Sequence, residues 1–229
     1  MDQNELKKQA AAEALIHVKN GMVLGLGSGS TAAEFVKLLG EKIKAGELGG
    51  IVGIPTSEAT AKLAEEVGVE LSTLNKHDKI DLAVDGADEV DGDLNLIKGL
   101  GKALLREKVT EIHAEKFVVV VDQTKVVEKL GTKGPLPVEI VKFAHESTIR
   151  WLNSIKGCRA EHWLEDDGTP AETDNGNFLA KLWFEGGIED AEELAGMLEK
   201  RAGVVEHGLF LNMASAVIVA EEDGIKVLD

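Results

Sequence analysis

MVLGLGSGST, residues 22–31, is a short apolar run that leads into a turn of glycine, serine and threonine. An apolar run of this length, bounded by glycines, predicts a buried strand. The residues that follow, Ala32 to Leu39, have the apolar spacing of a helix. A strand, a glycine turn and a helix in this order predict the opening of a βαβ unit.

The same alternation continues on both sides of this stretch. Apolar spacing predicts helices at 6–18, 56–67 (with Ser57 as the N-cap) and 96–109, and strands at 50–54, 69–71, 80–84 and 117–121. Short apolar strands that alternate with helices indicate a parallel sheet that is covered on both faces. The fold class is therefore predicted to be α/β, with an open, mostly parallel, Rossmann-like sheet and helices on both faces.

A second, smaller unit is predicted after Gly131, where Pro135 and Pro137 mark a boundary. Beyond it the pattern predicts helices at 143–155 and 189–201 and strands at 159–164 and 178–184, and the run at 216–220 is predicted to return to the first sheet. We expect a Rossmann-like catalytic domain of residues 1–130 and 204–229. We expect residues 131–203 to form a small α+β domain. All three tryptophans lie in it, which makes it a candidate oligomer interface.

Composition excludes several classes of partner. The 229 residues carry 25 Lys and Arg against 41 Asp and Glu, a formal charge of −16. Nucleic acids and anionic membranes would be repelled by this charge, so neither is expected as a partner. The polar N-terminus and the lack of a ~20-residue apolar stretch predict no membrane segment. The cytoplasm is the expected location.

Disulfide and metal chemistry are not predicted either. The single cysteine, Cys158, cannot form an internal disulfide or a cysteine metal site. The six histidines show no HxxxH or HxH spacing. We therefore predict no metal and no cofactor, and interpret Cys158 and each histidine as structural.

Two segments have the residue types of an anion-binding site. The turn Ser28, Gly29, Ser30 and Thr31 offers helix N–H groups and hydroxyls to a phosphate or carboxylate; the alternative is a tight turn that only caps the helix. A second glycine turn, Lys98, Gly99, Leu100 and Gly101, precedes Glu107. Glu107 has apolar neighbours that would favour a general base. The alternative is a surface glutamate paired with a lysine.

An acidic segment follows the predicted strand 80–84. Five carboxylates occur in the nine residues 85–93, at Asp85, Asp88, Glu89, Asp91 and Asp93. In open α/β sheets, ligands bind beyond the carboxyl ends of the strands, so this segment is a candidate site. A solvated acidic loop and a calcium loop are the alternatives, although no glutamate stands at the closing position of an EF-hand.

In order along the chain, several motifs resemble the A-type ribose-5-phosphate isomerases. They are Gly27-Ser-Gly-Ser-Thr-Ala32, Asp85-Gly-Ala-Asp-Glu89, Lys98-Gly-Leu-Gly101, Leu105-Arg-Glu-Lys108, Pro135-Leu-Pro-Val-Glu139, Thr173-Asp-Asn-Gly-Asn177 and Gly208-Leu-Phe210. The resemblance implies a metal-independent interconversion of D-ribose 5-phosphate and D-ribulose 5-phosphate, in the non-oxidative branch of the pentose phosphate pathway. It also implies a homodimer or homotetramer.

The resemblance further implies roles for individual residues. Glu107 would be the base that moves a proton between C1 and C2 through a cis-enediolate, and Asp85, Asp88 and Lys98 would serve ring opening and the developing charge. The implied substrate-binding residues are Ser28, Gly29, Ser30, Thr31, Gly86, Ala87, Gly99, Leu100, Gly101 and Lys125. The family has a glycine where this chain has Leu100, and a positive φ there would strain leucine.

Three other functions stay open on the sequence alone. A CoA transferase would form a glutamyl thioester. An amino-sugar-phosphate deaminase would be expected to use a histidine near the acidic segment, and none occurs between His77 and His113. A non-catalytic sugar-phosphate sensor would need an effector region, for which no residues remain.

Overall fold

The computed structural model describes residues 2–229 of the chain. Helices occupy α1 Gln3–Leu15, α2 Ser30–Lys44, α3 Glu58–Val67, α4 Leu104–Glu111, α5 His145–Leu152 and α6 Ala191–Glu199. Strands occupy β1 Val23–Leu26, β2 Val52–Pro55, β3 Glu70–Leu71, β4 Leu82–Asp85, β5 Glu89–Val90, β6 Leu96–Ile97, β7 Phe117–Asp122, β8 Leu136–Ile140, β9 Cys158–His162, β10 Phe178–Phe184, β11 Val204–His207, β12 Leu209–Phe210, β13 Ala216–Glu221 and β14 Gly224–Leu228. No helix in this part of the chain is long and apolar enough to span a membrane.

The chain divides into two compact units. Unit 1 comprises the chain up to Ala87, Arg106–Lys125 and Met213–Asp229, and unit 2 comprises Asp88–Leu105 and Val126–Asn212. These limits differ from the predicted domains, because β5 and β6 pair with β12 and so bring the segment after Ala87 into unit 2. The predicted domains, residues 1–130 with 204–229 and residues 131–203, stay a prediction.

Unit 1 is built on a seven-stranded sheet in the order β14-β13-β7-β4-β1-β2-β3. Every neighbouring pair is parallel except β13 with β14, which is a hairpin. This confirms the open, mostly parallel sheet of the predicted α/β fold. It also confirms that the run at 216–220 returns to the first sheet, where β13 lies beside the fully buried β7.

Helices lie on both faces of this sheet. Leu24 and Leu26 belong to a core cluster with residues of α1, α2 and α3. Gly25 lies between these two leucines, so its Cα faces the opposite side of the sheet. There a Cβ added to Gly25 would lie 3.2 Å from Thr110 Cγ2, which places α4 on that second face.

Unit 2 is a small α+β unit, as predicted. A four-stranded antiparallel sheet runs in the order β11-β8-β10-β9, and a three-stranded one in the order β12-β6-β5. Its core is formed by apolar residues of β8, β10, α5 and α6. The predicted boundary at Pro135 and Pro137 lies at the start of β8, where Pro137 is paired within the sheet opposite Lys181.

The predicted helix at 96–109 is wrong in its first half. Leu96 and Ile97 form β6, and the helix begins only at Leu104. Between them Gly99 has a φ of 106° and Lys102 a φ of 64°, values that a right-handed helix does not allow. Leu100 does not have a positive φ, so the leucine in place of a glycine causes no backbone strain there.

Candidate functional site

The topological switch point of unit 1 lies between β1 and β4. The chain moves from β1 outward to β2 and β3, and then returns to β4 on the other side of β1. In open α/β sheets, ligands bind in the crevice that such a reversal leaves beyond the carboxyl ends of the strands. Asp85 is the last residue of β4, and the turn at Gly27 directly follows β1.

Asp85 joins these two strand ends. Its Oδ1 accepts hydrogen bonds from the backbone N–H of Ser28 at 3.0 Å and of Gly86 at 2.6 Å. A Cβ at Gly27 would lie 2.2 Å from Asp85 Cγ, so only glycine lets the carboxylate reach this position. The buried carboxylate is therefore held by backbone groups of both loops, in a fixed orientation.

The predicted anion-binding turn lies at the N-terminus of α2. Gly29 is the N-cap with a φ of 89°, and the helix begins at Ser30. Ser30 is exposed, Thr31 is half-buried, and a Cβ on Gly86 would lie 3.9 Å from Thr31 Cβ. The first N–H groups of a helix have no intrahelical acceptor, so this turn can bind an anion.

The hydroxyl of Ser28 has a structural task that the sequence did not indicate. Its Oγ lies 2.7 Å from Thr56 Oγ1 and 2.8 Å from Ser57 Oγ. Ser57 also caps α3 as predicted, accepting from the N–H of Thr60 at 3.1 Å. These hydroxyl contacts hold the turn against the start of α3 and engage the Ser28 side chain. We therefore expect the groups that face an anion to be the backbone N–H groups of the turn and the side chains of Ser30 and Thr31.

Glu107 lies in the first turn of α4 and is only 3% exposed. Beyond the other end of α4, the carbonyl of His113 accepts from the N–H of Ile80 at 2.9 Å, and Ile80 precedes β4. The C-terminal end of α4 is therefore at the amino edge of the sheet. Its first turn, with Glu107, points toward the carboxyl edge, where Asp85 lies.

Lys125 ends a 3₁₀ turn, Gln123–Lys125, that follows β7 at the same edge of the sheet. Asp122 anchors this turn: its Oδ1 accepts from the N–H of Thr124 at 2.9 Å and from the Thr124 hydroxyl. Burial acts to raise the pKa of Asp122, but the hydrogen bonds from Thr124 and Gln3 and the charge of Lys125 outweigh it and lower the pKa.

The other predicted site residues belong to unit 2, where Asp88 precedes β5 and the remaining ones form the turn after β6. The Oδ2 of Asp88 accepts from the backbone N–H of Leu100 at 2.9 Å, which fixes the turn of Gly99, Leu100 and Gly101 against Asp88. A Cβ on Gly99 would lie 2.8 Å from Leu104 Cδ2, so glycine is needed there for close packing. Leu100 and Gly101 are exposed.

Lys98 is almost fully buried, with 2% of its surface exposed. Its N–H donates to the carbonyl of Gly208 at 2.9 Å, and its Nζ lies 5.4 Å from the centroid of the Phe210 ring. A Cβ on Gly208 would lie 2.2 Å from the carbonyl oxygen of Lys98, so this close approach requires glycine. The motif Gly208-Leu209-Phe210 thus positions Lys98.

Glu89 differs in function from the other acids of its segment. It is buried and accepts from three backbone N–H groups, those of Gly131 at 2.5 Å, Lys133 at 2.7 Å and Gly134 at 3.0 Å. Glu89 therefore holds the loop before β8. Local sequence could not separate it from Asp85 and Asp88, because all three carboxylates stand in one short segment.

Two further motifs of the resemblance form a buried polar cluster in unit 2. Glu139 on β8 is fully buried, and its Oε1 accepts from Thr173 Oγ1 at 3.0 Å, Asn175 Nδ2 at 3.1 Å and Asn177 Nδ2 at 2.8 Å. The turn at 173–177 is thereby tied to β8. These motifs are structural, which the sequence alone did not indicate.

In unit 1 the structure thus brings together the predicted site residues Ser28, Gly29, Thr31, Asp85 and Gly86, and Ala87 follows Gly86 in the chain. Glu107 and Lys125 lie toward the same carboxyl edge of the sheet. The structure brings together Asp88, Lys98, Gly99, Leu100 and Gly101 in unit 2. Neither set includes a group of His, Cys, Asp and Glu side chains that could hold a metal ion among residues 2–229.

The family model for ribose 5-phosphate isomerase A (phosphoriboisomerase A) matches residues 52–224. The chain belongs to this family. A ribose-5-phosphate isomerase A of Brucella suis is 49% identical over 98% of this chain and 97% of its own length. An Arabidopsis thaliana protein named "Probable ribose-5-phosphate isomerase 3, chloroplastic" is 48% identical over 100% of this chain and 84% of its own length.

Solved structures agree with the family. A D-ribose-5-phosphate isomerase in complex with phospho-erythronic acid is 45% identical, covers 100% of both chains and superposes with a TM-score of 0.97. Membership of the ribose 5-phosphate isomerase A family confirms the resemblance that the ordered motifs indicated. The match extends over both units of the chain.

Proposed function

We propose that this chain is an aldose–ketose isomerase that interconverts D-ribose 5-phosphate and D-ribulose 5-phosphate, with Glu107 as the general base. The observation that carries the proposal is the family match over nearly the whole chain. A buried carboxylate in the first turn of α4 suits the role of base, since burial disfavours the charged form and raises proton affinity.

The reaction moves one proton between neighbouring carbons. Glu107 removes the proton from C2 of the open-chain aldose, the C–H electron pair forms the C1–C2 double bond, and the carbonyl electron pair moves to O1. The product is a cis-enediolate. Glu107 then returns the proton to C1 while the hydroxyl proton of O2 passes to O1, which gives the ketose. A well-placed general base contributes on the order of 10²–10⁴-fold in rate.

Lys98 stabilises the oxyanion of the enediolate in this proposal. Its ammonium group lies on a side chain that is almost fully buried and positioned through Gly208 and Phe210. A fixed donor in a water-poor environment interacts more strongly with developing charge than it would in water, and one such donor contributes roughly 3–4 kcal/mol. Asp85 and Asp88 assist the opening of the sugar ring.

The substrate's anionic groups are bound by backbone N–H groups, by hydroxyls and by a lysine. We assign them to Gly29, Ser30, Thr31 and Lys125, with the turn held in place by Ser28. These local donors offset the repulsion that a chain of charge −16 exerts on a phosphate. The remaining binding residues are Gly86, Ala87, Gly99, Leu100 and Gly101.

An isomerase assay with and without a chelator tests this function. Purified protein is incubated with D-ribose 5-phosphate, and D-ribulose 5-phosphate is followed by its ketose absorbance. We expect conversion at the same rate after EDTA treatment, because no step of the proposed mechanism uses a metal. Absence of conversion would contradict the proposal. Ammonia release from an amino-sugar phosphate would then indicate a deaminase, and a glutamyl thioester after incubation with an acyl-CoA would indicate a CoA transferase.

We further propose a homo-oligomer, a dimer or a tetramer, in the cytoplasm. Phe143 in unit 2 is 88% exposed, which a subunit contact would cover. Cys158 is a free thiol, which fits a reducing compartment. A monomer in light scattering at micromolar concentration would reject the first proposal. Cell fractionation tests the second, since the name of the Arabidopsis relative includes the chloroplast.

A further inference from the structure

Three side chains of unit 2 converge at the start of α5. His145 is the first residue of α5, Glu146 is the second, and His162 is the last residue of β9. His145 Nδ1 lies 3.1 Å from His162 Nε2, His162 Nε2 lies 3.2 Å from Glu146 Oε1, and His145 Nδ1 lies 3.8 Å from Glu146 Oε1. No residue of this group is assigned to the isomerase reaction.

The triangle of these three atoms has the size of one face of a metal coordination sphere. Zinc bonds imidazole nitrogen and carboxylate oxygen at ~2.0–2.2 Å, so two ligand atoms of a tetrahedral site lie about 3.3–3.5 Å apart. The three distances in the structure, 3.1, 3.2 and 3.8 Å, lie on either side of this value. An ion can therefore be bound with shifts of a few tenths of an ångström.

The two imidazole rings are held in place by packing. The His145 ring meets the His162 ring edge-on at a centroid distance of 4.8 Å and the Phe178 ring at 5.1 Å. The Nδ1 of His162 is buried, so Nε2 is the nitrogen that this ring presents to the cluster. Preset ligands lose little conformational entropy on binding an ion, which favours affinity.

The charges around the cluster also favour a cation. Glu146 is 64% exposed, so water can complete the coordination sphere. Lys142 packs on the same Phe178 ring as His145, with its Nζ 5.2 Å from the ring centroid, and it forms an ion pair with Glu172 at 2.7 Å. This lysine is therefore balanced locally, while the chain as a whole carries a charge of −16.

We propose that His145, Glu146 and His162 form a binding site for a divalent first-row transition-metal ion, with zinc as the reference ion. Imidazole ligands select zinc, copper and nickel over magnesium and calcium, which prefer oxygen. The ion links the first turn of α5 to the end of β9, so it stabilises unit 2 without taking part in the isomerase reaction. The proposal is independent of the proposed function.

The site could not be found from sequence spacing. His145 and His162 are 17 positions apart, on a helix and a strand, so no HxxxH or HxH motif exists. Only the packing of α5 on β9 brings the ligands together. The expectation that no residues of the chain bind a metal is replaced by this proposal.

Zinc affinity of the metal-free, full-length protein tests the proposal. Affinity is measured by competition with a chromophoric chelator, and cobalt is added separately to detect the visible absorption of tetrahedral or five-coordinate Co²⁺. The variants are Glu146→Gln and His162→Gln, and the matched control is His17→Gln, an exposed histidine of unit 1. Circular dichroism checks that each variant is folded, and Glu146→Gln, at an exposed position, keeps the test decisive if His162→Gln does not fold.

We expect one zinc ion per parent chain, a rise in Tm with zinc and none with magnesium. Loss of an outer partner of a metal ligand weakens affinity ~10–100-fold, so loss of a ligand itself should weaken it by at least ~100-fold. His17→Gln should bind as the parent does. Two results would overturn the proposal. One is no zinc binding by the parent at micromolar zinc, which would mean that the three side chains only hydrogen-bond to one another. The other is equal zinc affinity in Glu146→Gln and His17→Gln.

Discussion

The carboxylate of Asp85 accepts a hydrogen bond from the backbone N–H of Ser28 at 3.0 Å, and this bond joins the ends of β4 and β1. The two strands flank the switch point of the unit 1 sheet. Two acids of the same segment fix different loops, because Asp85 accepts from the turn after β1 while Glu89 accepts from the loop before β8 in unit 2. The carboxylates that stand together in the sequence have separate tasks.

Gly27→Ala should destabilise the protein and lower its activity. The new Cβ would lie 2.2 Å from Asp85 Cγ, so the carboxylate must move and its bonds to both loops are strained. Overpacking of a buried position costs about 1–3 kcal/mol in the free energy of unfolding. Urea denaturation measures this cost. The matched control is Gly49→Ala, where an added Cβ has no neighbour within 4 Å, and equal stability of the two variants would contradict the account.

Lys98→Met should fold and lose most of its activity. The methionine keeps the apolar stem against Phe210 but removes the charge that the proposal assigns to oxyanion stabilisation. Removal of one such donor lowers kcat by ~10²–10³-fold. Steady-state kinetics with D-ribose 5-phosphate measures the effect. Lys102→Met is the control, since Lys102 pairs with Glu165 at 2.5 Å, and a similar loss in both variants would argue against a specific role for Lys98.

Cys158 should react slowly with thiol reagents at pH 8. Burial raises the pKa of the thiol to about 11, against the opposing effect of the Arg159 charge. Because the thiolate is the reactive form, and its fraction at pH 8 is roughly 200-fold below that of an ordinary thiol with a pKa near 8.5, the rate should be lower by about that factor. It should rise with pH up to about 11. Ellman's reagent measures the rate on folded and urea-unfolded protein, and equal rates in the two states would contradict the prediction.

The sequence predicts the elements of this fold best where local pattern and tertiary packing agree. The predictions of β1 and α2 are confirmed, because an apolar run ends at Leu26, helical spacing begins at Ala32 and a glycine turn separates them; the helix itself begins two residues earlier, at Ser30. The apolar pattern of Leu96 and Ile97 continues into Leu104 and so predicts a helix, but pairing with β5 and β12 makes these two residues a strand. A two-residue strand carries no periodicity of its own.

The candidate site was predictable as a set of residues but not as a set of contacts. Local sequence marks Asp85, Asp88 and Glu89 alike, and only tertiary structure shows which backbone N–H groups each one receives. The burial of Glu107 depends on how α4 packs on the sheet. The hydroxyl contacts of Ser28 depend on α3.

The central claim is that Glu107 transfers the proton. Glu107→Gln keeps the size of the side chain and removes its basic carboxylate, and Glu111→Gln is the matched control, equally buried one turn further along α4. The direct measurement is kcat with D-ribose 5-phosphate for both folded variants. The account predicts a loss of ~10²–10⁴-fold or more for Glu107→Gln and a rate near the parent's for Glu111→Gln. Interconversion by Glu107→Gln at close to the parent rate would contradict it.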